Sequence, residues 1–178
     1  MESLEVIARP RFGKADLAWL TDIRSRRAGS RGAPYFTLVF NGADMPQAQF
    51  IEAIRAQAKG VAPIHFRLRS ALVVPEPVVR RFHVFLIPDE GFGAILKLHD
   101  ALHAGLAEGA LRQDSPYLPH ITVATTTDHA KARALAFALN HRDIDVQGHI
   151  EALQVERREG EVIKLAAQIP LAKTGLFG

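Results

Sequence analysis

Apolar residues recur at helical spacing in several stretches of the chain and alternate with polar ones in others. Leu17, Leu20 and Ile23, with Trp19 nearby, form such a stripe and predict a helix from Lys14 to Arg27. A strand is expected before it, from Leu4 to Arg9. The run Ala28-Gly29-Ser30-Arg31-Gly32-Ala33-Pro34 reads as a basic loop. The β-rich segment Tyr35 to Phe40 reads as a strand that Asn41-Gly42 breaks. Asp44 then fits an N-cap for a helix from Met45 to Ala58 that tolerates Pro46 in its first turn. His65 to Val74 predicts a strand closed by Pro75 and Pro77.

The second half repeats that order. Arg81 to Ile87 reads as a strand, and Phe92 to Leu111 as a helix with Ile95, Leu98, Leu102 and Leu106 along one side. A connector from Arg112 to Leu118 leads through Pro119 into a strand from His120 to Thr125. Thr127 or Asp128 caps a helix to Asn140. Two further strands are expected, Ile144 to Glu156 and Glu161 to Pro170, joined by a turn over Arg157-Arg158-Glu159-Gly160.

The repetition extends to residue type. Pro34-Tyr35-Phe36-Thr37-Leu38 aligns with Pro119-His120-Ile121-Thr122-Val123, 85 positions later. Each reads proline, aromatic ring, apolar, threonine, apolar. Each follows a helix and a loop and precedes a capped helix. An echo in matching context predicts a duplicated unit, with halves of about 1–78 and 79–178 in one domain spanning 1–178.

Side chains alternate faces along a strand. His120 and Thr122 therefore point one way, and Ile121 and Val123 the other, into packing. Tyr35 and Thr37 behave alike. Halves packed about a pseudo-two-fold axis would bring these four across a groove. Histidine exchanges a proton near neutral pH. Threonine hydroxyls can donate to anionic oxygens. That set suits phosphodiester cleavage without a metal.

Composition narrows the setting. The chain has 178 residues, 48% of them hydrophobic and 23% charged, which is ordinary globular usage. No apolar run approaches the ~20 residues of a membrane-spanning helix, and the first residues show no secretory pattern. Cysteine is absent, which excludes disulfides and thiolate chemistry, and a cytoplasmic location is expected. The net charge is +3 and the sequence pI about 9.5. Arginine suits phosphate oxygens, although the same excess arises on any arginine-rich solvated surface.

Tyr117-Leu118-Pro119-His120-Ile121-Thr122-Val123-Ala124, with its echo at Tyr35 to Thr37, resembles the second signature of the 2H phosphoesterase superfamily, which includes the 2′-5′ RNA ligases and RNA 2′,3′-cyclic phosphodiesterases. Arg67 to Val74, Phe82 to Asp89, the helix into Pro119-His120 and the final strands ending at Ile169-Pro170-Leu171 fit the ligase branch. The resemblance implies an α+β bilobal duplicated fold, two antiparallel-type sheets facing a central groove with helices outside. It implies His120 as general acid or base, Thr122 and Thr37 as phosphate binders, and RNA ends or nucleotides with 2′,3′-cyclic or 2′-5′ phosphates as ligands. No metal or organic cofactor is implied. Hydrolysis is the expected direction with water in excess, and a monomer is expected. The first motif departs from the family because Tyr35 stands where the other histidine belongs. A phenol, with an ordinary pKa near ~10, can serve as an acid but is a poor base at neutral pH. Either Tyr35 acts as the acid beside His120, or the chain is a catalytically impaired nucleotide or RNA binder.

Other residues carry competing readings. His83 could supply the missing ring or merely pack. His65, Arg67 and Arg69 share a strand face that could line an anion channel or sit exposed. His99 and His103 lie one helical turn apart, a spacing open to a metal but without an obvious completing carboxylate. Arg24, Arg26, Arg27 and Arg31 flank the loop before the first motif and could hold an RNA backbone or form a solvated basic surface.

Overall fold

A computed structural model describes residues 2–27, 32–40, 45–76, 79–106 and 116–172. The described residues form nine strands and four helices. In order these are β1 (Glu2–Ala8), β2 (Arg11–Phe12), α1 (Lys14–Arg27), β3 (Phe36–Val39), α2 (Gln47–Ala58), β4 (Ile64–Glu76) and β5 (Arg81–Glu90). Then come α3 (Phe92–Ala104), β6 (Ile121–Thr126), α4 (His129–Asn140), β7 (Val146–Ile150), β8 (Ala152–Glu159) and β9 (Val162–Pro170). They make an α+β fold with two sheets, ordered β3-β1-β8-β9 and β2-β7-β4-β5-β6, and every pairing is antiparallel. Each sheet draws strands from both halves of the chain. The run β3-β1-β8 in one sheet is matched by β6-β5-β4 in the other. In each case two strands of one half are joined by the fourth strand of the other.

One core lies under both sheets. Phe36 from β3 and Phe66 from β4 are buried and meet edge to face with centroids 5.1 Å apart. The helices cross-link the halves in the same way, with α1 packing on β6 and α3 on β3. No helix among the described residues is long and apolar enough to cross a membrane.

Several elements differ from the sequence-based expectation, each for a local reason. The single strand expected from Ile144 to Glu156 is broken at Glu151, and β7 and β8 lie in different sheets. Glu151 bridges Arg11 and His149 with its carboxylate, and its carbonyl accepts from Leu171 N at 2.8 Å. The last turn falls at Gly160-Glu161, two residues later than expected, because Glu159 and Val162 pair and Gly160 supplies the positive φ of 62°. Helix α2 starts at Gln47, with Pro46 as an extended N-cap instead of a first-turn residue. Proline disfavours helical backbone at the residue before it, here Met45. Asp44, expected as the cap, lies outside the described residues. Helix α3 ends at Ala104, before Gly105, and not at Leu111, which is also outside them.

The stripe on α1 is rotated. Leu20 and Ile23 are buried, but Leu17 is largely exposed. The third inward position is Arg24, four residues after Leu20 and 3% exposed. That departure matters for the site.

Candidate active site

Tyr35 and His120 each follow a buried proline and immediately precede a strand, β3 and β6. Within those strands Phe36, Leu38, Ile121 and Val123 are fully buried. Thr37 and Thr122, between them, face the other way. The four polar residues of the echo converge on one cavity of about 170 Å³, lined by Arg24, Tyr35, Thr37, Phe40, His120 and Thr122. A wider depression of about 660 Å³ lies along α4 near Val73, Arg133 and Phe137. It lacks any such pairing of rings and hydroxyls.

His120 is fixed on two sides. Its Nδ1 lies 2.7 Å from the carbonyl oxygen of Leu118. A carbonyl only accepts, so that nitrogen carries the proton and Nε2 keeps its lone pair. The ring stacks on Phe85, with centroids 3.6 Å apart and planes 18° from parallel. Burial pushes its pKa below the ordinary 6.5, the Leu118 bond opposes that, and His83 adds a smaller lowering. His120 is therefore held as a neutral imidazole near pH 7, the form that accepts a proton.

His83 lies outside the cavity lining. Its Nδ1 faces Thr125 Oγ1 at 3.0 Å and its Nε2 faces Glu76 Oε2 at 2.8 Å. Phe85, 5.7 Å away and nearly parallel to the His83 ring, also stacks on His120. Both nitrogens are engaged, so His83 does not replace the missing ring.

The Tyr35 ring sits beside two guanidinium groups, with Arg9 and Arg24 each 5.3 Å from its centroid. Arg9 donates to Glu156 and Gln154, both at 2.9 Å. Arg24 donates through Nε to the carbonyl of Thr122 at 3.0 Å and through Nη1 to that of Gly32 at 2.6 Å. It thus ties the second motif to the loop before the first. Burial lowers its pKa, partly offset by attraction to Tyr35. The solvated basic surface therefore holds for Arg26, exposed and paired with Asp22, but not for Arg24. The side chains of Arg27 and Arg31 lie outside the described residues.

A second layer holds the first motif in place. Tyr117 OH donates to the carbonyl of Thr37 at 2.9 Å. Its ring stacks on His99 at 3.7 Å and 7°. Burial drives the Tyr117 phenol well above its ordinary 10.0, so it remains a donor. His99 Nδ1 donates to the carbonyl of Leu38 at 2.6 Å, and His103 Nδ1 to that of His99 at 2.8 Å. The helical pair thus braces α3 against β3. No set of three metal-binding side chains occurs among the described residues.

The anion channel through Arg67 and Arg69 is not formed. Arg67 pairs with Asp145 and Glu90, and Arg69 with Asp89, Glu90 and Asp145. His65 stacks on His149 at 5.4 Å. None of the three lines the cavity. Arg24, Phe40, Phe85 and Tyr117 join the site without a motif of their own in the sequence, Arg24 being one of the basic residues that flank the loop before Tyr35. The placement of Arg24 four residues after Leu20 was the available signal.

A family model described as the 2′-5′ RNA ligase superfamily matches residues 14–161. Among solved structures, one described as a phosphoesterase superposes with a TM-score of 0.61 at 14% identity, covering 97% of this chain and 99% of that one. Usb1 from Kluyveromyces marxianus gives 0.59 at 10%, covering 94% and 97%. E. coli LigT in complex with 3′-AMP gives 0.57 at 15%, covering 96% and 98%. At these identities the likeness is one of fold. No curated protein sequence matches the chain.

Proposed function

The chain belongs to the 2′-5′ RNA ligase superfamily, and from that premise we propose that it is a phosphodiesterase acting without a metal on RNA ends or nucleotides that bear 2′,3′-cyclic or 2′-5′ phosphodiesters. The observation that carries this reading is the convergence of Tyr35, Thr37, His120 and Thr122 on one cavity. In hydrolysis of a cyclic phosphate, water attacks phosphorus and its proton passes to Nε2 of His120. The bond from phosphorus to one ribose oxygen breaks, and that oxygen takes the proton of the Tyr35 phenol. The Thr37 and Thr122 hydroxyls donate to the non-bridging oxygens, whose charge grows as the new bond forms. Proton return from His120 to Tyr35 through solvent closes the cycle. The whole chain is read as one such domain with halves of about 1–78 and 79–178. Its solved relatives in fold include complexes with uridine monophosphate and 3′-AMP, ligands of the class proposed here.

Turnover of adenosine 2′,3′-cyclic phosphate tests the proposal. The wild-type protein should release a monophosphate, and His120→Asn should lose about 10²- to 10⁴-fold in rate, the usual worth of one acid–base group. Activity unchanged in that variant would refute the assignment, and activity lost on adding chelator would move the chemistry to a metal. A second reading is favoured by one residue, the phenol at position 35. In that reading the protein binds the cyclic nucleotide and leaves it intact, and Tyr35→His restores turnover.

A further inference from the structure

We propose that Arg24 anchors the anionic phosphoryl group in this cavity. The inference rests on the phosphodiesterase reading for the choice of ligand but not on turnover itself. Of the six lining residues, Tyr35, Thr37, Thr122 and Phe40 are uncharged at neutral pH. His120 is held toward its neutral form by burial. Arg24 alone among the six carries a permanent charge. A phosphodiester is an anion, and moving it from water into a partly enclosed cavity without a cation is costly. Charge-assisted bonds to an oxyanion are about twice as strong as neutral ones.

Position supports the same role. Arg24 takes an inward place on α1 and is 3% exposed, held at the wall of the cavity by the carbonyls of Thr122 and Gly32. Its bond to the Thr122 carbonyl sets the guanidinium beside the residue whose hydroxyl faces the cavity. Its contact with the Tyr35 ring sets it beside the other motif. The charge therefore lies between the two strands that would grip the phosphate. Arg9 flanks the same ring, but its charge is offset by Glu156, and it does not line the cavity.

Binding of 3′-AMP to the full chain, followed by calorimetry, tests this. Above pH 7 the phosphate is almost fully dianionic, so the remaining pH dependence reports the protein. Wild-type affinity should stay within about threefold from pH 7 to 8.5, because guanidinium does not titrate there. Arg24→Gln should bind at least about tenfold more weakly, and Arg24→Lys should recover most of that loss. A folded Arg24→Gln protein that binds as tightly as wild type overturns the assignment. So does a wild-type affinity that falls tenfold or more over that pH range, which would place the charge on an imidazole. The wild-type measurement needs no variant and stands even where Arg24→Gln does not fold. Binding that depends on Arg24 without any turnover keeps the anchor and removes the catalytic reading. A wild-type chain that binds no 3′-AMP removes both.

Discussion

Replacing Tyr117 by phenylalanine removes one oxygen from the layer that supports the first motif. The hydroxyl donates to the Thr37 carbonyl at 2.9 Å. A neutral hydrogen bond of that length contributes about 0.5–1.5 kcal/mol net, and leaving its buried acceptor poorly paired adds to the loss. The ring itself stays, so its stack on His99 persists and no cavity opens. The expected destabilisation is about 1–2 kcal/mol. For a chain of this size that lowers the melting temperature by about 2–8 °C. Tyr117→Leu also abolishes the stack and should cost about 0.5–1.5 kcal/mol more.

Urea titration of wild type, Tyr117→Phe and Tyr117→Leu measures these differences. The pH dependence supplies a second check. The folded-state pKa of Tyr117 is raised by burial, so the phenol holds its proton in the native state while the unfolded one loses it near 10. Its contribution is complete below pH 10 and declines only above that. The gap between wild type and Tyr117→Phe should therefore be the same at pH 7 and pH 9. A gap below about 0.3 kcal/mol, against the usual range for such bonds, or one that closes by pH 9, refutes the reasoning. Because the bond fixes the backbone of Thr37, the same variant should also weaken 3′-AMP binding.

Four further outcomes follow from the geometry. If His120 is the base, as proposed, the kcat/KM for a cyclic nucleotide should rise with pH through a limb centred below 6.5 and be flat at pH 7 to 8, since burial depresses its pKa; a limb at or above 7 contradicts that role. His99 and His120 both have folded pKa values below 6.5, so the unfolded chain takes up protons first and stability present above pH 6.5 should decline as pH falls below it, read as a lower urea midpoint at pH 5.5 than at 7.5. Gly91→Ala should cost at least about 2 kcal/mol, because Gly91 has φ of 81° and a Cβ there would lie 2.4 Å from the His65 carbonyl oxygen; denaturant titration measures it. Asp128→Ala should cost about 1 kcal/mol by the same method, through loss of the 3.1 Å bond from Lys131 N to the Asp128 carboxylate.

Local pattern located most elements because the forces that form them are local. The bounds of α1, from Lys14 to Arg27, follow from its own residues, and Asp128 caps α4 where a short acidic side chain precedes the helix. The echo between Tyr35 and His120 was legible for a related reason. A duplicated motif keeps its proline, ring and hydroxyl in order, and period-two alternation then dictates which side chains share a face. What could not be read locally is how the halves exchange parts. Nothing around Glu151 says that β7 and β8 belong to different sheets, because that break is set by partners at Arg11 and Leu171, far along the chain.

The site divides along the same line. Its four paired residues lie on, or directly before, the two strands that the repeat makes visible, whereas its supports reach across from other elements. Arg24 comes from α1 to the carbonyl of Thr122, and His99 comes from α3 to that of Leu38. One helix from each half thus bonds the motif strand of the other half. An arginine after a run of apolar positions reads as surface because burying a charge without compensation is prohibitive. Here the compensation comes from carbonyls of Thr122 and Gly32 and from the Tyr35 ring, all brought together only by the fold. The Tyr35 phenol and the buried guanidinium beside it therefore form one arrangement, which in the proposed reading divides proton donation and fixed charge between two side chains.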